Sequence, residues 1–147
     1  MNELEERIDR IESRQAIGDL LAAYCSTIDA KDAAALGALF AEQAQFGDLR
    51  GRKAIVDFFA GWMAEWGPSF HYPHAMTLDF TSNDVATGLV TGHAEQRKGD
   101  EGWVMAIRYS DEYRRESGRW LFTRRDVGYV YRLRAQDYAR FFGEVRR

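Results

Sequence analysis

Apolar residues recur at intervals of three and four from residue 3 to about residue 28: Leu4, Ile8 and Ile11, then Ile17, Leu20, Leu21, Tyr24 and Ile28. That spacing is one face of an amphipathic helix, and Ser13 is a place where it divides into an arm and a core helix. Asp32 is placed as the N-cap of a second helix with Leu36, Leu39 and Phe40 as its stripe. Ala44 to Phe46 read as a short strand, 47–51 as a turn, and Ala54 to Trp66 as a third amphipathic helix built on Ile55, Phe58, Phe59 and Trp62. Gly67-Pro68 stops it.

The period then changes. Ser69 to Phe80, Val85 to Arg97, Trp103 to Arg115 and Arg119 to Leu133 are four strand-like runs. Short links at Ser82-Asn83-Asp84, Lys98 to Gly102 and Glu116-Ser117-Gly118 imply an antiparallel meander. Helices followed by such a sheet form an α+β layout, in which both elements are buried only if the helices lie on one face of the sheet. On the first strand the even positions, Phe70, Tyr72, His74, Met76, Leu78 and Phe80, read as an apolar face, and the odd positions, from His71 on, as a small or polar one. The apolar face is more than a soluble monomer should expose if helices cover only the other face, which predicts a homo-oligomer. Residues 137–147 read as a short helix or a tail.

Composition narrows the class. The 147 residues are 46% hydrophobic and 14% aromatic, enough for a core in one domain spanning 1–147. A net charge of −3 with a pI near 5.6 leaves no electrostatic footprint for nucleic acid. Cys25 is the only cysteine, which excludes an internal disulfide and zinc sites built on paired cysteines. No apolar run has the length of a membrane span, and the charged start MNELEERIDRIESR does not read as a signal peptide, so a cytoplasmic location and no membrane partner are expected.

Few residues remain for chemistry. Asp29 falls at the edge of the first helix's stripe, where it is either a cap shared with Asp32 or a working carboxylate. Tyr24 falls near the stripe's centre, as core packing or as a donor. The turn at 82–84 makes His71 and His93 near-opposite partners on adjacent strands, and two histidines plus a carboxylate from a covering helix would form an acid–base cluster. Three histidines in 147 residues is ordinary, and any one of them is more often structural than catalytic. Arg125, on the last strand, suits an oxyanion or carboxylate if it faces inward, and an interface ion pair if it does not. No phosphate loop, dinucleotide fingerprint, nucleophile elbow or zinc helix is found, so neither cofactor nor metal is expected.

The segments AIGDLLAAYCSTIDAKDAAALGALFAEQAQF, RGRKAIVDFF and FHYPHAMTLDF, with Y-x-D-x-Y at 109–113 and G-x-W at 118–120, resemble the SnoaL-like families of the nuclear transport factor 2-like superfamily. The resemblance spans roughly residues 8–131. It implies a cone-shaped α+β barrel: three N-terminal helices packed on a strongly curved, mostly antiparallel sheet around an internal pocket. Within the superfamily the likeness is to scytalone dehydratase, bile acid 7α-dehydratase and hexachlorocyclohexane dehydrochlorinase, which use an Asp–His dyad without metal or organic cofactor. On that likeness Asp29 matches the dyad acid and His71 the base. Tyr24, His93 and Arg125 match the tyrosine, second histidine and pocket arginine of individual members. A second tyrosine, used by scytalone dehydratase to hold water, has no clear match. The same likeness implies that the homo-oligomer is a trimer, with a dimer as the alternative.

The resemblance implies a cofactor-independent lyase: a proton is taken from a small cyclic or polycyclic, apolar or aromatic substrate, with loss of water or another leaving group. A polyketide cyclase or isomerase in the same pocket is the alternative, as is a non-catalytic small-molecule-binding or dioxygenase β-subunit-like protein. Trp62, Trp66 and Trp103 suit either a flat substrate or core packing.

Overall fold

The computed structural model describes residues 2–141. Helix α1 (Glu3–Asp29) runs unbroken through Ser13, which is buried on its inner face. The helix starts in a capping box between Asn2 and Glu5 and ends in a Schellman turn. There Asp32 N–H reaches Thr27 O at 2.9 Å, Lys31 N–H reaches Ile28 O at 3.0 Å, and Lys31 takes the left-handed conformation at φ 60°. Asp32 caps the short α2 (Ala33–Gly37) by accepting from Ala35 N–H at 2.9 Å. The second helix is therefore shorter than its apolar stripe, and Phe40 instead begins β1 (Phe40–Phe46), followed by β2 (Leu49–Arg50) and α3 (Arg52–Glu65).

The meander forms as its alternation implies, from β3 (Ser69–Phe80), β4 (Val85–Lys98), β5 (Glu101–Glu116) and β6 (Arg119–Arg134). A 3-10 turn (Ala135–Asp137) and α4 (Tyr138–Phe141) follow; the rest of the predicted tail lies outside the described residues. The six strands make one curved, unclosed sheet in the order β2-β1-β6-β5-β4-β3, and β1 joins β6 in parallel. That parallel junction follows from the α3–meander crossover and has no local signature in the chain.

Two bulges decide which side chains reach the concave face. The β3–β4 register shifts between Pro73 and Met76. His71 therefore faces inward with Ser69, while beyond the bulge Met76, Leu78 and Phe80 turn inward and pack on the core. The continuous apolar stripe expected on even positions does not exist: Phe70 and Tyr72 face outward, and the stripe changes sides halfway along. A second shift, between Ala106 and Ile107 of β5, makes β6 skip Val130, so Tyr129 and Arg132 share the concave face although their numbers differ in parity.

The core lies between this face and the helices. Ile17, Leu36, Phe40, Ile55, Tyr113 and Phe122 are fully shielded from solvent, each side chain contributing about 1.5–3 kcal/mol of transfer free energy. Gly92 of β4 leaves room for this packing, since a Cβ there would stand 3.0 Å from Tyr72 O. At the centre is a buried ion pair. Arg125 Nε and Nη2 each contact an Asp111 carboxylate oxygen at 2.8 Å, and Tyr113 Oη donates to Asp111 at 2.6 Å. The guanidinium lies 4.1 Å from the ring centre of Tyr109, 4.2 Å from that of Tyr24 and 4.4 Å from that of Phe122. Removing one member strands the other charge, so Asp111→Ala should cost about 3–5 kcal/mol of unfolding free energy in urea titration. A loss below about 1 kcal/mol would show that the pair does not support the core.

Candidate functional site

Asp29 is the last residue of α1 and comes to β3 as that helix crosses the sheet. A carboxylate at a helix C-terminus opposes the macrodipole, and the neighbouring helix is capped by Asp32, so Asp29 serves neither helix. Its partners are all on β3. His71 Nδ1–H donates to Oδ1 at 2.6 Å, His71 backbone N–H to Oδ2 at 2.9 Å, and Ser69 Oγ–H to Oδ1 at 3.1 Å. Lys31 Nζ donates to Ser69 Oγ at 3.2 Å and lies over the Trp62 ring at 4.6 Å.

With its Nδ1 proton directed to a carboxylate, the neutral His71 ring has its lone pair on Nε2. Gln96 Nε2 stands 3.3 Å from that nitrogen. Burial holds the His71 pKa below the usual histidine value; the hydrogen bond and charge of Asp29 oppose that shift, and Lys31 and Arg125 reinforce it. Lys31 is itself lowered by burial against the raising charge of Asp29.

His71 and Gln96 open onto a cavity of about 340 Å³ between the concave face and α3, walled by Tyr24, Ile28, Phe59, Trp62, Met105, Ile107 and Tyr109, with Trp66, Tyr129 and Arg132 also on its lining. Such a volume suits a small organic ligand. Tyr24 and Tyr109 make no side-chain hydrogen bond among the described residues, so their hydroxyls are unspent donors on the wall. Burial, helped by the other tyrosine, raises the Tyr24 pKa well above its ordinary value, and burial likewise raises Tyr109; both stay protonated at neutral pH. Burial also pushes Cys25 up to about 11, which leaves it a thiol.

The expected residues separate into two groups. Asp29, His71 and Tyr24 meet at the cavity. Arg125 lies beneath it, paired with Asp111 and covered by Tyr24 and Tyr109, so it acts as a buried charge under the wall. His93 is not His71's partner: the register is one residue off, pairing His71 with Ala94 and Tyr72 with His93. The offset puts His93 on the convex face, where His74 Nε2 lies 2.9 Å from its Nδ1 and Tyr131 Oη 3.2 Å from its Nε2. Gln96 takes the inward position next to His71 that spacing had given to His93. Gln96 and Arg132 carried no motif, and Tyr109 entered only as part of the Y-x-D-x-Y run, not as a site residue. Alternation outward from His71 through Ala94 would have found Gln96, but only once the register was known. Among the described residues no cluster of three or more acidic, histidine or cysteine side chains is placed to hold a metal ion, and no helix is long and apolar enough to cross a membrane.

Comparison with known proteins agrees with this architecture. The chain is 27% identical over 133 residues to a gamma-hexachlorocyclohexane dehydrochlorinase of Sphingobium indicum, covering 82% of each chain. A hexachlorocyclohexane dehydrochlorinase crystal structure superposes with a TM-score of 0.81 at 23% identity, covering 87% of this chain and 92% of that one. A scytalone dehydratase-like protein of Novosphingobium aromaticivorans gives a TM-score of 0.81 at 21% identity, covering 86% and 90%. The family model described as a SnoaL-like domain matches residues 9–126, and the chain belongs to that family.

Proposed function

We propose that the protein is a lyase that takes a proton from carbon with an Asp29–His71 dyad and expels a leaving group from the neighbouring carbon. The observation that carries the reading is the 2.6 Å bond from Asp29 to His71 Nδ1, which leaves the opposite ring nitrogen basic and on the cavity lining. The dehydrochlorinase and dehydratase-like relatives support elimination as the reaction class.

The steps follow from the groups present. His71 Nε2 accepts the proton, and the pair of electrons from the broken C–H bond becomes the new carbon–carbon π bond. The leaving group departs with its own bonding pair as halide, or as hydroxide that collects a proton from Tyr24 or Tyr109. Asp29 stabilises the imidazolium formed, and its contacts to the His71 backbone and Ser69 hold the ring in one orientation. Gln96, a hydrogen-bond donor at Nε2, favours the neutral tautomer before reaction and yields that nitrogen when substrate enters. An apolar wall excludes water and strengthens each of these interactions.

The test is a panel of cyclic β-halo and β-hydroxy compounds, γ-hexachlorocyclohexane among them, assayed for halide release and by mass spectrometry for the unsaturated product. His71→Ala and Asp29→Asn should each lower kcat/KM by about two to four orders of magnitude while leaving the circular dichroism spectrum intact. Retention of activity in either variant removes the dyad.

Proton linkage supplies a second check. Because His71 is held below about 6.5 in the fold, the unfolded chain binds the extra proton first on acidification. The His71 contribution to stability is complete above that pH and is lost as pH falls toward the folded value. In NMR titration the His71 ring should reach its midpoint below about 6.5, and lower still in Asp29→Asn, which removes the groups that raise it. The rate should rise with pH through the same midpoint, since only the neutral ring accepts a proton. A midpoint at or above the ordinary value would contradict this account.

A further inference from the structure

Four residues lie in one cross-strand row on the concave face: His71 on β3, Ala94 on β4, Met105 on β5 and Arg132 on β6. Three strand spacings of about 4.8 Å separate the ends of that row along the sheet, and the curvature shortens the direct distance. His71 and Arg132 therefore face each other across the cavity they both line. Between them the row holds a small and an apolar residue.

Arg132 differs from three other arginines of its strand. Arg124 is held by Asp126, Arg125 by Asp111, and Arg134 by Asp137 and Glu101. Arg132 has no carboxylate partner among the described residues. Its guanidinium lies instead among aromatic faces, 5.1 Å from the Trp103 ring centre, 5.3 Å from Trp66 and 5.9 Å from Tyr129. These rings flank the guanidinium, which stays solvent-exposed, and leave its donors without a carboxylate partner. A planar cation in that setting recognises a planar anion through two parallel hydrogen bonds, and flanking rings accept a flat apolar body.

We propose that Arg132 is the specificity-determining residue of the cavity and selects cyclic or aromatic acids, binding a carboxylate at the end of the substrate remote from the carbon that His71 deprotonates. This rests on the proposed catalytic reading of the cavity, and deepens it by naming a substrate class. The bulge at Val130 is what makes the selection possible, since regular alternation would turn Arg132 out to the convex face.

The experiment compares 2-naphthoate with 2-naphthamide, alike in shape and different in charge, by isothermal titration calorimetry on the full chain. The wild type should bind the acid about five to ten times more tightly, and added salt should erode the difference. Arg132→Gln should abolish the preference, and Arg132→Lys, which keeps the charge but not the fork, should retain part of it. Equal affinity for acid and amide in the wild type, failure of the acid to bind, or a preference that survives in Arg132→Gln would overturn the proposal. Asp29→Asn and His71→Ala should keep the acid preference whether or not the dyad is catalytic, so failure of that reading is distinguishable from failure of this one.

Discussion

The fold is organised around a guanidinium with almost no access to water. Arg125 is 1% exposed, a state that an uncompensated charge could not hold. Asp111 neutralises it through two hydrogen bonds and is in turn bonded by Tyr113, so the polar atoms are satisfied among themselves. Three aromatic rings close over what remains. Tyr24 arrives from α1, Tyr109 from β5 and Phe122 from β6. One charge thus sets the distance between helix and sheet, and two of the rings it supports become the wall of the cavity. A hydrophobic replacement of such a cluster is often as stable, but it would not place two phenol groups at defined positions against the ligand space.

The same geometry explains what could be read from the chain and what could not. Helix-period and strand-period runs, Gly-Pro and Ser-Gly turns and an Asp cap are local signals, and the elements they mark are present nearly as placed. The meander's order followed from its short links. The errors came from counting alternation through bulges. Parity carried the inward face of β3 from His71 to Asp79, but the bulge after Pro73 turns Met76, Leu78 and Phe80 inward instead. A one-residue offset exchanged His93 for Ala94 opposite His71. Pro73 is compatible with either an edge strand or a bulge, so it does not by itself place the register shift, and the one-residue offset has no marker in side-chain type. Arg125 was legible as a candidate whose direction stayed open, and its partner Asp111 was not legible, since their pairing is a property of the β5–β6 register.

Asp29 and Lys31 show how a helix end is turned to another use. A glycine at Lys31 would take the left-handed conformation without cost, whereas lysine pays roughly 1 kcal/mol. What lysine adds is an ammonium that reaches Ser69 and Trp62, so the turn that ends α1 also braces the strand residue beside the carboxylate. Two residues earlier the helix terminates on an acid that its own dipole disfavours. Local stability is lower at both positions than it need be, and both face the same histidine. Sequence preferences that fail together at one place are the expected signature of a site.

The electrostatics of that place are a balance between two requirements. Arg132 lines the cavity, and Arg125 and Lys31 lie near enough to act on His71; in the proposed reaction their positive field would favour negative charge developing on a bound molecule or its leaving group. The same field, together with burial, disfavours a proton on His71 and so weakens it as a base. Asp29 opposes that loss of basicity without reversing it, because its charge is coupled to His71 through a short hydrogen bond. In the proposed reaction, a carboxylate behind the imidazole, rather than in the cavity, would strengthen His71 as a base without cancelling the positive field at the reacting atoms. That division of labour requires an acid from one element and a histidine from another to meet with the ring between the carboxylate and the cavity. Here the crossing of the α1 terminus over the inner face of β3 meets that requirement.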